Sequence, residues 1–409
     1  AAGASRYING FFSKVSRVGM LGEFYHYRAT MVPWLWFLTR TADCRIFQEM
    51  TVPEIIEQIF GDLGFSEFEN SLTGSYRTWE YCVQYRETAF NFISRLMEQE
   101  GIHYFFLDSD SQNKVKLADD YSSTGTYNDL ATINFYPPSE TRMRHGDHVY
   151  GWVSSNQVQT GLFAHTDYDF ENPQSDLTQT AKNPGGYAYD DYEVFDYPGE
   201  YVVGEDGQTY SNVRIQEHQT LGSVFRGESN ATDFVAGCLF SLDGHWDDTQ
   251  NQEYLILSTD LTVENNEYVS GSTEHLVTKC EFEAIPSAIP FRSRRSTPMP
   301  HIRGPQTAVV VGPAGEELWT DKYGRVKVQF HWDREGKMDE NSSCWVRVAQ
   351  SWAGKKWGTI YIPRIGQEVI VEFLEGDPDR PIITGRVYHA ENMPPFGLPD
   401  SKTISGMLK

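Results

Sequence analysis

Between residues 304 and 390 the chain breaks into short runs of alternating apolar and polar residues, each closed by Gly or Pro. Trp stands at 319, 332, 345, 352 and 357. Runs this short cannot build long helices, so the segment has to bury its apolar side chains by curling a sheet upon itself. Over 325–332, Arg325, Lys327, Gln329 and His331 share one face, and Val326, Val328, Phe330 and Trp332 the other, the period of a half-buried strand. Asp321 first and Gly324 fourth make the turn that leads into it. Further strands are expected at 307–311, 344–351, 359–362, 368–374 and 381–388. About five or six strands in so short a span fit an OB-like Greek-key barrel.

Upstream the period changes. Residues 7–15 and 23–32 read as paired strands. The stretch 52–60 is helical: Thr51 is placed to cap it, Pro53 suits the first turn, and Ile55, Ile56, Ile59, Phe60 and Leu63 form one stripe. Gly61 or Gly64 ends it. A second helix is expected at 89–99, with Phe90, Ile93, Leu96 and Met97 on one side and Gly101 as a left-handed cap. Strands follow at 102–107 and 114–117, then at 148–154, 212–219, 237–241, 253–261 and 276–285. The acidic, aromatic section 166–201 reads as a long strandless loop, and such loops are usually functional or mobile. The basic cluster at 292–295, set among prolines, reads as an exposed linker.

The chain is long enough for two or three domains, each with its own core, and its 14% aromatic content suits sheet. The longest apolar run, 31–38, is far short of the roughly twenty residues that cross a bilayer as a helix. With 57 acids against 34 Lys and Arg, the net charge of −23 repels phosphate backbones, so no nucleic-acid partner is expected. Cys44, Cys82, Cys238, Cys280 and Cys344 are odd in number, scattered and without a CxxC pair, as free thiols of a reducing cytoplasm would be. The start carries no ordinary export leader.

Chemistry-bearing motifs are sparse. GxSxG, HExxH, the phosphate-binding GxxxxGK[ST] and GxGxxG are all missing. No catalytic, cofactor-binding or metal-ligating residue is expected, and no cofactor. The sequence His145-Gly-Asp-His148 comes nearest to a metal site but lacks a third ligand at recognisable spacing, and reads as a polar turn. His165-Thr-Asp-Tyr-Asp169 reads the same way. Glu80 and Glu193 lie beside aromatics as acids do in sugar sites, a composition that strand edges share.

Several longer runs are distinctive: WTDKYGRVKVQFHWD (319–333), WAGKKWG (352–358), IPRIGQEV (362–369) and EGDPDRPIITGR (375–386). They are joined upstream by RIF (45–47), EYCVQYRE (80–87), RLMEQEGI (95–102) and DYPG (196–199). In this order they resemble the VgrG spike proteins of type VI secretion, relatives of contractile phage tail hubs. The resemblance implies a mainly β chain with few helices: two hub barrels followed by an OB-fold barrel. The expected divisions are a first barrel region with the helix pair at 1–142, a second at 143–285, a linker at 286–302, the OB barrel at 303–390, and the approach to a β-helix needle at 391–409.

It further implies a structural, non-enzymatic homotrimer that punctures target envelopes and carries effectors. The tube protein would meet its hub end, a tip or effector protein its needle end, and the target envelope would be touched in passing. Assembly would be cytoplasmic, followed by export through the apparatus. Relative to that family a leading stretch and the needle are expected to be missing, with no room for a terminal lysozyme domain. Arg364 and Arg386 are the candidate cross-subunit cations, and Trp332, Trp345 and Trp352 the candidates to fill the barrel or the three-fold contact. The competing reading is a glycan-hydrolysing or glycan-binding component of a phage-tail-like particle, which the carboxylate and aromatic clusters would support.

Overall fold

Apolar residues spaced two apart along short strands are buried only if the sheet closes, and the computed structural model shows two such closures. It describes residues 5–128, 130–139, 146–265 and 276–408, except the side chains of Leu21 and Leu276. The chain divides into two compact units. One comprises Ala1–Trp36, Phe60–Tyr76 and Ser94–Ser296, and the other Phe37–Ile59, Arg77–Ile93 and Thr297–Lys409.

The larger unit contains a closed six-stranded barrel. Around it run Thr132–Phe135, His148–Asn156, Ser223–Ser229, Leu276–Pro286, Glu253–Asn265 and Leu239–Asp243. Its core is aromatic: Phe234 stacks on Phe282 at 4.2 Å, and Phe225, Phe240 and Tyr254 surround them. Gly227 is required there, because a Cβ at that position would lie 2.2 Å from the Phe282 ring. At the start of the unit β1 (Phe11–Leu21) and β2 (Phe24–Val32) form a two-stranded ribbon.

Two expectations fail in this unit. Residues 212–219 lie in the helix Gly204–Thr220, not in a strand. Its buried face is built from Gly207, Tyr210, Ser211, Val213, Arg214 and Ile215, so it shows no apolar stripe, and the Val-Arg-Ile run imitates period two. The section 166–201 also contains strands, Gln179–Lys182 and Glu193–Asp196, which flank Leu162–His165 and pack against that helix. Tyr201 pins the arrangement: its hydroxyl donates to the carbonyls of Leu177 and His165 at 2.6 and 3.1 Å. Gly207 leaves room for the Tyr201 ring, which would stand 2.3 Å from a Cβ there.

The first two helices are α1 (Val52–Asp62) and α2 (Ala89–Glu100). A reciprocal cap starts α1, with Thr51 N–H donating to Glu54 Oε2 at 2.8 Å and Glu54 N–H to Thr51 Oγ1 at 3.4 Å. Gly101, at φ 76°, terminates α2. The exposed carbonyls at that end are met by cations, as the helix dipole favours. Arg214 donates to the carbonyls of Glu98 and Gln99 at 2.6 and 2.9 Å, and Arg292 to that of Gly101 at 3.0 Å. Arg292 also donates to the Asp119 carbonyl and, at 2.8 Å, to Gln216 Oε1. The exposed-linker reading therefore does not hold at Arg292, which is a half-buried clamp inside this unit.

The second unit holds a five-stranded sheet ordered Lys327–Phe330, Gln306–Val311, Glu368–Phe373, Pro381–Val387, Arg347–Val348, the last pair parallel. Paired backbone bonds between Val326 and Val346, at 3.0 and 2.8 Å, close the ring. Ala308, Val310, Val328, Phe330, Val369, Val371 and Ile383 fill it. The strand expected at 359–362 does not form. Thr359 and Tyr361 donate instead to the Trp352 carbonyl and Gln350 Oε1, both at 2.9 Å, behind a small hairpin of Ala353–Gly354 and Trp357–Gly358. The same unit contains the antiparallel pair Ala42–Phe47 and Cys82–Thr88.

Candidate assembly surface

Trp332 is locked inside the second unit. Its ring stacks on Phe330 at 5.0 Å and meets the edge of Tyr85 at 5.7 Å. Its Nε1 donates to Gln306 Oε1 at 2.9 Å, and Gln306 donates in turn to the Tyr85 hydroxyl at 2.8 Å. Polar contacts continue this seam: Arg334 with Asp43 at 2.6 Å, Arg45 with Glu335 at 3.1 Å, and Val83 N–H with Asp379 at 2.6 Å. Burial works against ionisation of Asp43, but the Arg334 guanidinium and the Cys44 N–H still hold its carboxyl below the usual range. Sequence reading missed this seam, although two of the distinctive runs, 45–47 and 80–87, supply one side of it.

Trp345 is half-buried, stacked on Trp319 at 6.1 Å beneath the Lys327 ammonium at 5.3 Å. Trp352 behaves differently. It is 62% exposed and edge-on to Trp357 at 5.1 Å, itself 56% exposed. Ile360, Tyr361 and Tyr388 are exposed as well. Arg386, its pKa lowered by burial, donates to the Tyr361 carbonyl. Both line a cleft of about 200 Å³ with Ser351 and Gly385. That is below the 300–1,000 Å³ of ordinary ligand pockets. Arg364 pairs with Glu317 of the same chain, and with both groups largely in water such a pair contributes little. Of the five expected residues, then, Trp332 and Trp345 pack within the unit and Arg364 is paired within the chain. Trp352 and Arg386 belong to an aromatic surface at the far end of the barrel strands.

His145 lies outside the described residues, and His148 bonds the Gly146 carbonyl at 3.0 Å. His165 bonds the Gly207 carbonyl at 2.8 Å, and its burial lowers its pKa. Glu80 and Glu193 are exposed. Among the described residues no group of three or more His, Cys, Asp or Glu is placed to hold a metal. All five cysteines are free. No described helix is long and apolar enough to cross a membrane.

Residues 1–267 match the phage tail baseplate hub (GPD) family, and residues 308–388 match the type VI secretion system/phage-baseplate injector OB domain. The chain belongs to the phage tail baseplate hub family. Among curated relatives, the type VI secretion system spike proteins VgrG1a and VgrG1b of Pseudomonas aeruginosa are 50% and 49% identical to it over 99% of its length. The hub chain spans 63% and 55% of those two proteins. The actin cross-linking toxin VgrG1 of Vibrio cholerae is 36% identical over 92% of the chain, which covers 34% of that protein.

The fold agrees. An E. coli type VI secretion component described as similar to the T4 tail proteins gp27 and gp5 superposes with a TM-score of 0.65. It is 20% identical, and the alignment covers 93% of this chain and 84% of that one. A Francisella PdpA–VgrG complex gives 0.54 at 9% identity, covering 90% and 57%. The mainly β hub-plus-OB architecture and the likeness to VgrG spike proteins, both expected from sequence, are borne out.

Proposed function

We propose that this chain is the hub and injector portion of a puncturing spike in a type VI secretion apparatus, acting as a homotrimer. The observation that carries this is the coupling, in one chain, of a baseplate-hub segment to an injector OB barrel. The physics of the barrel supports it: its interior is filled by apolar side chains, and its Arg386 cleft is too small for an ordinary ligand, as suits a load-transmitting joint. Trp352, Trp357 and Ile360 form an exposed apolar surface of the kind that marks association sites. The role needs no bond-making chemistry. By analogy with the relatives' names, the hub end would meet the apparatus that propels it and the far end a tip or effector protein. The spike would assemble inside the cell and leave it with the apparatus, touching the target envelope in transit.

Light scattering tests the assembly. Three chains of 46.8 kDa give about 140 kDa. Trp352→Ala should leave the thermal stability of the chain nearly unchanged, because surface changes stay within about 0.5 kcal/mol, yet weaken association. A wild-type mass of a single chain at micromolar concentration would overturn the reading.

A further inference from the structure

In the sheet of Gln179–Lys182, Leu162–His165 and Glu193–Asp196, the last strand is an edge: it pairs with Leu162–His165 and with no other described strand. Backbone groups along a strand turn alternately to its two sides, and an unpaired side is a template for another chain. The Gly161 carbonyl accepts from Asn183 N–H at 2.9 Å on the Gln179–Lys182 side, which turns the backbone groups of Leu162 and Ala164 toward Glu193–Asp196. The Tyr192 carbonyl turns inward as well, accepting from the Thr160 hydroxyl. Tyr192 and Val194 therefore bond inward, and the N–H and C=O groups of Glu193 and Phe195 face outward. The Val194 side chain packs against Phe163, Ala181 and Ile215, while Phe195 is 57% exposed on the other face. Sheet edges are commonly blunted by Lys, Pro or a bulge, and this strand has none of them. The opposite edge is covered: Gln208 donates to the Thr180 carbonyl at 3.2 Å, and that strand ends in Lys182.

The loop that leads into the edge strand holds two rings out in water. The Tyr187 hydroxyl donates to the Gln159 carbonyl at 2.6 Å and accepts from its N–H at 2.9 Å, and the Asp190 carboxylate accepts from Gly186 N–H at 2.6 Å. Tyr189 sits at φ 66°, a conformation that a bulky residue keeps only where its surroundings impose it. So held, Tyr189 and Tyr192 are 70% and 65% exposed with ring centres 5.3 Å apart. Aromatic rings fixed in advance contribute binding energy at small entropic cost. Residues 183–213 contain seven acids and no Lys or Arg. Arg295 reaches Asp196 at 3.2 Å, at the far end of the strand from Asp191 and Glu193.

We propose that the outward edge of Glu193–Asp196 docks an extended, Lys- or Arg-bearing segment of a partner protein. That segment adds to the sheet as a further strand, its backbone bonded to Glu193 and Phe195 and its cations laid over Tyr189 and Tyr192 among the carboxylates. The occupant is a basic partner and not a second copy, because every copy carries a net charge of −23 and the same acidic flank. The attraction is shared by several carboxylates, so the loss of one changes little. The docking edge goes beyond the spike reading and does not depend on it.

An acetylated, amidated octapeptide of alternating Lys and Val is the probe, titrated into the full chain and followed by fluorescence anisotropy and hydrogen exchange. Bound peptide should slow exchange of the Glu193 and Phe195 amides. Methylating every backbone nitrogen of the peptide keeps its charge and removes its donors, and should weaken binding about tenfold, the worth of one or two backbone hydrogen bonds. Phe195→Pro, which removes an outward N–H and spares the inward bonds, should do the same. Its melting temperature checks that it folds, and the methylated peptide carries the test if it does not. Tyr189→Ser with Tyr192→Ser should also weaken binding about tenfold. An octapeptide of alternating Glu and Val should bind at least about tenfold more weakly at low salt, the gap narrowing as salt is added. Equal binding of the methylated peptide, or unchanged exchange at the two amides while the probe is bound, overturns the edge as the site. Equal binding of the Glu peptide overturns the basic partner. Protection of these amides in the chain alone, growing with its concentration, makes a second copy the occupant and overturns the partner protein.

Discussion

His103 shows what one buried side chain does to the pH response. It lies edge-on to Phe291 at 5.0 Å, and neither ring nitrogen has a hydrogen-bond partner. Burial, with Arg292 nearby, lowers its pKa from 6.5 to about 4. The folded chain therefore keeps His103 neutral at a pH where the unfolded chain protonates it. Between those two values the unfolded state binds more protons, so stability rises with pH. The contribution is intact above about pH 6.5 and falls by up to about 3 kcal/mol as the pH drops through 4. Urea unfolding at pH 5 and pH 7 measures it: His103→Leu should flatten the difference between the two. A slope unchanged in that variant would place the titrating group elsewhere.

At the scale of elements, the helix Gly204–Thr220 is where a small change does most damage. Gly207→Ala would push a methyl group into the Tyr201 ring, and overpacking of this kind costs about 1–3 kcal/mol. Hydrogen exchange should speed up in that helix and in Leu162–His165, while the six-stranded barrel keeps its protection; uniform loss of protection would contradict the packing described. The same helix shows what sequence could reveal. α1 and α2 were legible because apolar stripes and caps are local signals, and the OB strands because their period is two and their turns carry Gly and Pro. The Gly204–Thr220 helix was not, because its buried face mixes Gly, Ser and Arg with Tyr, Val and Ile, the polar members held by partners elsewhere in the fold. Arg292 misled for the same reason: a basic cluster among prolines looks solvated until Gly101, Asp119 and Gln216 are brought to it. Of the candidate site, the residue types were legible but their placement was not. Trp332 needed Tyr85, and Arg364 needed Glu317, before an internal role could be told from an exposed one.

At the scale of the whole molecule, the proposed role is that of a mechanical part. Its acids are a solvated, repelling surface, and its barrels are filled with side chains. The exposed Trp352 surface is where copies would meet. A mechanical part is insensitive to the loss of carboxylates that an enzyme of the competing glycan-cleaving kind would need, and sensitive to the loss of contacts between copies. The decisive measurement is release of the tube protein into the medium by cells that lack their own copy of the gene and carry a variant in its place. Glu80→Gln with Glu193→Gln should restore release and killing of target cells to the wild-type level. Trp352→Ala with Trp357→Ala should restore neither. The opposite pattern, with release dependent on the two carboxylates and indifferent to the two tryptophans, would contradict the account.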